Sequence, residues 1–272
     1  MAFIQPFKAL RPQPQLATHV ASLPYDVLSS EEAKAVAKNN SYSFLHITKS
    51  EIDLPNTVEQ YSERVYQKAK ENLEFFIHQH ILQHEAQASY YIYRLTMHGR
   101  SQFGLVALSS VTDYETGIIK KHELTRPDKE QDRIQHILTT GAQTGNVFLA
   151  YRDIAEINEI VNEWTQAHKP EYDFVADDKI QHTVWVIQHS KTIQTLSRLF
   201  AEKVQHTYIA DGHHRAASAA KVHQILKTKA SGFFLTTLFP ASQLNIMAYN
   251  RVVKDLNGYS TESFLQALSA YF

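Results

Sequence analysis

The chain contains no cysteine. Disulfides, thiolate metal sites and thiol nucleophiles are therefore excluded. It also lacks any excess of charge: 27 Lys and Arg stand against 28 Asp and Glu, a formal net charge of −1. No basic run breaks that balance, which argues against nucleic acid as a partner, because a phosphate backbone is bound by a clustered positive surface. No apolar run is long enough to span a bilayer, and the N-terminus lacks the charged-then-apolar pattern of a secretory signal. The expectation is a cytoplasmic protein with neither membrane nor nucleic acid among its partners.

What is there has the length of one large domain or two small ones, with an ordinary apolar fraction of 43% over 272 residues. Histidine is plentiful, but His78, His80, His84, His168, His182 and His189 stand scattered at surface-like positions.

One stretch organises the rest. Thr207-Tyr208-Ile209-Ala210 reads as a short buried strand, Asp211-Gly212 as a tight turn, and His213-His214-Arg215 as the start of a helix running to about Lys227. A helix that begins directly after a strand presents unpaired backbone N–H groups and a partial positive charge, which suits an anion. Gly212 permits φ > 0 or a close approach of backbone to ligand. Arg215 carries a planar fork that fits phosphate oxygens. Ala216, Ala219, Ala220, Val222 and Leu226 give the helix an apolar side that would hold the turn still.

Elsewhere the signals are mixed. Phe3 to Leu10 reads as an edge strand and Arg11 to Pro14 as a proline-broken loop. Pro24 precedes Tyr25-Asp26, and Ser29 with Glu32 is a capping box opening a helix to about Lys38. Ser43 to Ile47 reads as a strand, and helical spacing runs from Val58 to Leu82. Tyr90–Leu95 and Gln102–Val111 form a hairpin through His98-Gly99-Arg100. Strands follow at Gly145–Tyr151, Thr183–Ile187, Phe233–Phe239 and Leu244–Tyr249, with helices from Ile154, Thr192 and Ser260. Strands and helices do not alternate strictly, so the fold class expected is α+β, with mixed sheets and flanking helices. Residues 1–272 are expected to form one unit, tentatively divided into 1–115 and 116–272, the latter carrying the glycine turn.

A second chemical stretch runs from Lys120 to Arg133 and contains His122-Glu123 and Arg126-Pro127-Asp128. Thr125 and Asp128 resemble a capping pair, and Pro127 suits a first helical turn, so His122 and Glu123 fall on the loop ahead of a helix ending near Gly141. A zinc-protease motif needs a second His three residues after the Glu. Arg126 stands there, which excludes that motif.

Pro24-Tyr25-Asp26-Val27, His122-Glu123 through Arg133, Asp211-Gly212-His213-His214-Arg215 and Asn250-Arg251 together resemble domain of unknown function 1015. Members of that family look like relatives of the ParB/sulfiredoxin superfamily and of free L-serine kinases. The resemblance implies a nucleotide-binding core in which Gly212, His213, His214 and Arg215 hold phosphates. For some members it implies phosphoryl transfer from ATP or ADP to the hydroxyl of free L-serine. In the family a His is expected where this chain has Asn250, and more chain is expected beyond residue 272.

The function expected is thus a small-molecule kinase using ATP or ADP with Mg²⁺. Glu123 would act as base with His122 beside it, and Asp211 would hold Mg²⁺ or orient the acceptor. Arg133 and Arg126 would clamp phosphate or substrate carboxylate, and Tyr25 and Asp26 would line the same cleft. The alternative is a ParB-like nucleotide-binding module without catalysis, which the residue at Asn250 favours. Sulfinic acid reduction, as in sulfiredoxin, is disfavoured because it uses a cysteine. A metal hydrolase built on Asp211, His213 and His214 with His122 or His206 is a further reading, weakened because adjacent histidines rarely turn both rings to one ion.

Overall fold

The computed structural model describes residues 1–248 and 250–271. In chain order its strands are β1 (Ile4–Gln5), β2 (Leu10–Pro12), β3 (Leu82–His84), β4 (Tyr90–Met97), β5 (Arg100–Ser110), β6 (Ile119–Lys120), β7 (Val147–Tyr151), β8 (Tyr172–Val175), β9 (Gln181–Ile187), β10 (Thr207–Asp211) and β11 (Phe233–Pro240). Its helices are α1 (Ala17–Val20), α2 (Ser30–Ala37), α3 (Leu45–Thr48), α4 (Glu63–His78), α5 (Val111–Glu115), α6 (Pro127–Thr140), α7 (Ala155–Ala167), α8 (Ser190–Lys203), α9 (His213–Leu226) and α10 (Thr261–Leu268).

The architecture is α+β, with one mixed nine-stranded sheet and flanking helices. The sheet runs in the order β6-β10-β7-β11-β5-β4-β9-β8, and β1 joins β5 beyond the end of β4. The pairs β6–β10 and β7–β11 are parallel and the others antiparallel. Strands from both sides of residue 115 pair directly, since residues 105–110 of β5 are bonded to residues 233–238 of β11. Alternation drives this sheet: Val147, Leu149 and Tyr151 of β7 are buried while Phe148 and Ala150 are less so. Tyr151 meets Phe200 of α8 ring to ring at 5.1 Å, and Ala216, Ala219 and Ala220 of α9 join the same core. Their small side chains let α9 lie close to the strands.

The hairpin forms as expected, its turn made by His98 and Gly99, both at positive φ. The capping box at Ser29 and Glu32 is also present. Several boundaries differ from the sequence reading. Residues Leu45–Thr48 form a helical turn, not a strand. Leu45 and Ile47 fill two different small cores, one with Ala33 and Ile52, the other with Leu73 and Phe76, which a helical turn allows. The long helix spans only Glu63–His78. His80 takes a left-handed conformation, and the Ile81 amide donates to the Phe76 carbonyl, so the chain turns off into β3. The N-terminal edge strand is split into β1 and β2, and Pro12 sits in the two-stranded β2–β3 ribbon. No strand forms over 244–248, where the chain runs irregularly, and Tyr249 lies outside the described residues.

Smaller cores hold the N-terminal helices together, and α4 packs on α6, which packs on α9. One buried polar contact joins the layers. Nε2 of His136, on α6, lies 3.0 Å from the Ile47 carbonyl, which can only accept, so this nitrogen carries the proton. Burial, then the neighbouring Arg133 cation, push the His136 pKa down to about 4. The unfolded chain, at the ordinary 6.5, takes up the extra proton first. The contribution of His136 is therefore full above pH 6.5 and is lost as pH falls toward 4, by about 3 kcal/mol. His136→Gln keeps an amide donor and removes the titration. In denaturant titrations it is expected to lose less stability between pH 7.5 and 4.5 than the parent chain.

Candidate active site

The turn between β10 and α9 has the geometry its sequence suggests. The register of β10 against β7 slips between Ile209 and Asp211, a bulge that re-aims the chain just before the turn. Gly212 is the N-cap of α9 at φ 94° and ψ 31°, and no side chain caps the helix. The first α9 amides thus have no side-chain acceptor. A Cβ at Gly212 would lie 3.2 Å from Cζ of Arg215, so the guanidinium lies across the turn.

Arg215 gathers three distant parts of the chain. Its Nη2 is 2.6 Å from Oδ2 of Asp211 and 3.5 Å from Oδ2 of Asp26, and its Nη1 donates to the carbonyl of Asn146. The guanidinium is largely shielded from solvent, whereas the Asp211 carboxylate is 64% exposed and retains an oxygen for a further partner. Tyr25 and Asp26 stand on a short 3₁₀ turn that Pro24 introduces. The Arg133 guanidinium stacks over the Tyr25 ring at 4.0 Å, and its Nε and Nη2 both donate to Oδ2 of Asp132. Burial pushes the Tyr25 phenol up, against the pull of Arg133, so it remains a donor.

The loop of Lys121 to Arg126 closes over the turn. His213 is buried, and its Nδ1 lies 3.2 Å from Oε2 of Glu123. The His122 ring stands edge-on to the His213 ring at 4.5 Å. The Arg126 amide donates to Nε2 of His214 at 3.0 Å, across 88 residues of sequence. That bond makes Nε2 of His214 an acceptor, so its proton is on Nδ1. Burial lowers the pKa of His213, and the Glu123 carboxylate opposes the shift.

The expected residues are thus brought together: Tyr25, Asp26, Glu123, Arg133, Asp211 and the turn Gly212–Arg215 surround one region. Arg126 is the exception. Its side chain turns outward to Asp128 at 2.7 Å, and only its amide faces the site. The Thr125–Asp128 capping pair does not form. Asp128 takes Arg126, and Thr125 donates to Glu130 instead. Glu130 is buried, and Lys221 lies 2.5 Å from it.

A cavity of about 200 Å³ opens beside the turn, lined by Tyr25, Asp26, Lys49, Lys129, Asp132, Arg133, His136 and His214, among others. Its volume suits an amino acid or a phosphoryl group and falls short of the pockets that enclose larger ligands. A whole nucleotide would extend beyond it. Sequence reasoning missed Lys49, Tyr66, Asp132 and His136. Asp132 and His136 are one turn apart on α6, next to Arg133, and helical spacing would have found them. Lys49 follows the segment read as a strand, and nothing local marked it.

Gly212→Ala tests the turn directly. An L residue at φ 94° is strained by about 1–2 kcal/mol, and the new methyl would press on Arg215. Denaturant titration is expected to register a loss of that size, and an unchanged midpoint would contradict the described turn.

Among the described residues no helix is long and apolar enough to cross a membrane. No curated protein and no solved structure matches the chain. The family described as protein of unknown function DUF1015 matches residues 4–272, nearly the whole chain, and the chain belongs to that family.

Proposed function

We propose that this protein is a small-molecule kinase that transfers a phosphoryl group from ATP or ADP to the hydroxyl of free L-serine or a similar small hydroxy compound, within a ParB/sulfiredoxin-like nucleotide-binding core. The observation that carries the reading is the meeting of the carboxylate loop with the glycine turn, through Glu123–His213 and Arg126–His214. Phosphoryl transfer needs cations and amides around the phosphates and a group that relieves the acceptor of its proton, and both lie on this one wall.

In this reading the uncapped amides of α9 and Arg215 take the terminal phosphate, with Arg215 exchanging Asp26 for the anion. His214 borders the same path. The acceptor sits in the cavity, its carboxylate facing Arg133 and Lys129 and its hydroxyl toward the His214 side, where the loop of Glu123 meets the turn. The acceptor oxygen bonds to phosphorus as the bond to the departing nucleotide breaks. The hydroxyl proton passes to the Glu123 carboxylate, with His122 and His213 beside it. Asp211, exposed on one side, would hold Mg²⁺, which neutralises charge on the phosphates when bound. A cavity of about 200 Å³ supports an acceptor the size of an amino acid, with the nucleoside outside it.

A second reading, nucleotide binding without turnover, is favoured by the ion pairs that already occupy Arg215. A phosphotransfer assay with ATP or ADP, Mg²⁺ and free serine separates the two. O-phosphoserine is expected, and Glu123→Gln and Arg215→Ala are each expected to lower kcat by roughly 10² or more. Nucleotide binding by calorimetry with no product from any small hydroxy acceptor would select the binding module. Turnover unchanged in both variants would overturn the assignment of these residues.

A further inference from the structure

The same wall carries a donor set that phosphoryl transfer alone does not explain. His122, Glu123 and His213 each offer one ligand atom, and the three atoms lie within 4.8 Å of one another. From these residues we infer that the chain binds one divalent transition-metal ion, of the zinc, manganese or cobalt class, between His122, Glu123 and His213.

The spacing is close to what such an ion requires. Ligand atoms about 2.1 Å from a tetrahedral ion stand roughly 3.4 Å apart. Nδ1 of His213 and Oε2 of Glu123 are already 3.2 Å apart, Nε2 of His122 is 3.9 Å from the other carboxylate oxygen, Oε1, and one ligand atom from each residue falls within 4.8 Å of the other two. The set combines one fixed ligand with two adjustable ones. The His213 side chain is 3% exposed and held at the start of α9, whereas His122 and Glu123 are about 60% exposed on a loop. The loop side chains can close the remaining gap without disturbing the core.

The donor chemistry selects the ion. Two imidazoles and a carboxylate suit borderline transition metals, whereas Mg²⁺ and Ca²⁺ take oxygen ligands and leave imidazole aside. Three protein ligands on an exposed rim leave a fourth position open to water or to a substrate oxygen, the arrangement of a catalytic rather than a structural site. This set also differs from the combination that adjacency in sequence suggests, because His214 is turned away to accept the Arg126 amide. An ion here would be distinct from any Mg²⁺ travelling with nucleotide phosphates at Asp211. The inference stands whether or not the phosphoryl-transfer reading holds, because metal binding is its readout.

The test is isothermal titration of the full chain, freed of metal by chelator, with Zn²⁺, Mn²⁺ and Mg²⁺ separately. One equivalent of Zn²⁺ or Mn²⁺ is expected, with Mg²⁺ binding at least a hundredfold more weakly. His122→Gln and Glu123→Gln lie on an exposed loop and are expected to fold normally by circular dichroism while weakening the transition ion at least tenfold. His80→Gln, an exposed histidine elsewhere, is expected to change nothing. Cobalt loaded in place of zinc is expected to give the intense visible absorption of a four- or five-coordinate ion, lost in His122→Gln. No stoichiometric binding, binding that survives both loop variants, or equal loss in His80→Gln would each overturn the inference and leave Glu123–His213 as a plain hydrogen-bonded pair.

Discussion

The guanidinium of Arg215 is the point on which the site depends. It joins Asp211 at the end of β10, Asp26 on the turn after Pro24, and the Asn146 carbonyl just ahead of β7. Among the described residues of this region, no other hydrogen bond or ion pair joins segments so far apart in sequence. A cation so shielded must remain paired, because an unpartnered buried charge costs several kcal/mol. The two carboxylates therefore hold the turn, and the turn holds the first residues of α9 against the loop of Glu123. An incoming anion has the same charge as the carboxylates and can replace one of them without leaving Arg215 unpaired. In the proposed reading, structural support and ligand recognition thus fall to one side chain.

Around that cation the cleft divides into two chemical halves. One half holds Arg133, stacked on Tyr25 and bonded to Asp132, with Lys49 and Lys129 in the same wall. It is a cavity of amino-acid size in which cations and carboxylates alternate, Arg133 paired with Asp132 and Lys49 with Glu51. The other half is a cluster of imidazoles around Glu123, at the rim and open to solvent. The first half suits binding and orientation, and the second suits the handling of protons or of an ion. Their junction is the glycine turn, where backbone amides meet Arg215.

The parts of this arrangement legible in the sequence are the local ones. Thr207 to Arg215 declared a strand, a glycine turn free to take positive φ, and a helix start, because each depends on neighbours in the chain. The hairpin at His98-Gly99 and the capping box at Ser29 were legible for the same reason. The contacts between stretches were not. That Arg126 would offer its amide rather than its side chain depends on Asp128 lying within reach of the guanidinium. That His213 would turn to Glu123 and His214 to the Arg126 amide depends on how α6 packs on α9. The segment Ser43 to Ile47 is apolar enough for either a strand or a helical turn, and only the two cores it fills decide between them. Misreading it hid Lys49 from the candidate list.

The most direct measurement is a crystal structure of the chain soaked with ADP and serine. A phosphate is expected at the start of α9, with Arg215 turned to it and its contact with Asp26 broken, and serine in the cavity beside Arg133 with its hydroxyl toward His214 and the loop of Glu123. A nucleotide bound elsewhere, or bound with the Asp26–Arg215–Asp211 contacts intact and no phosphate against the α9 amides, would contradict it.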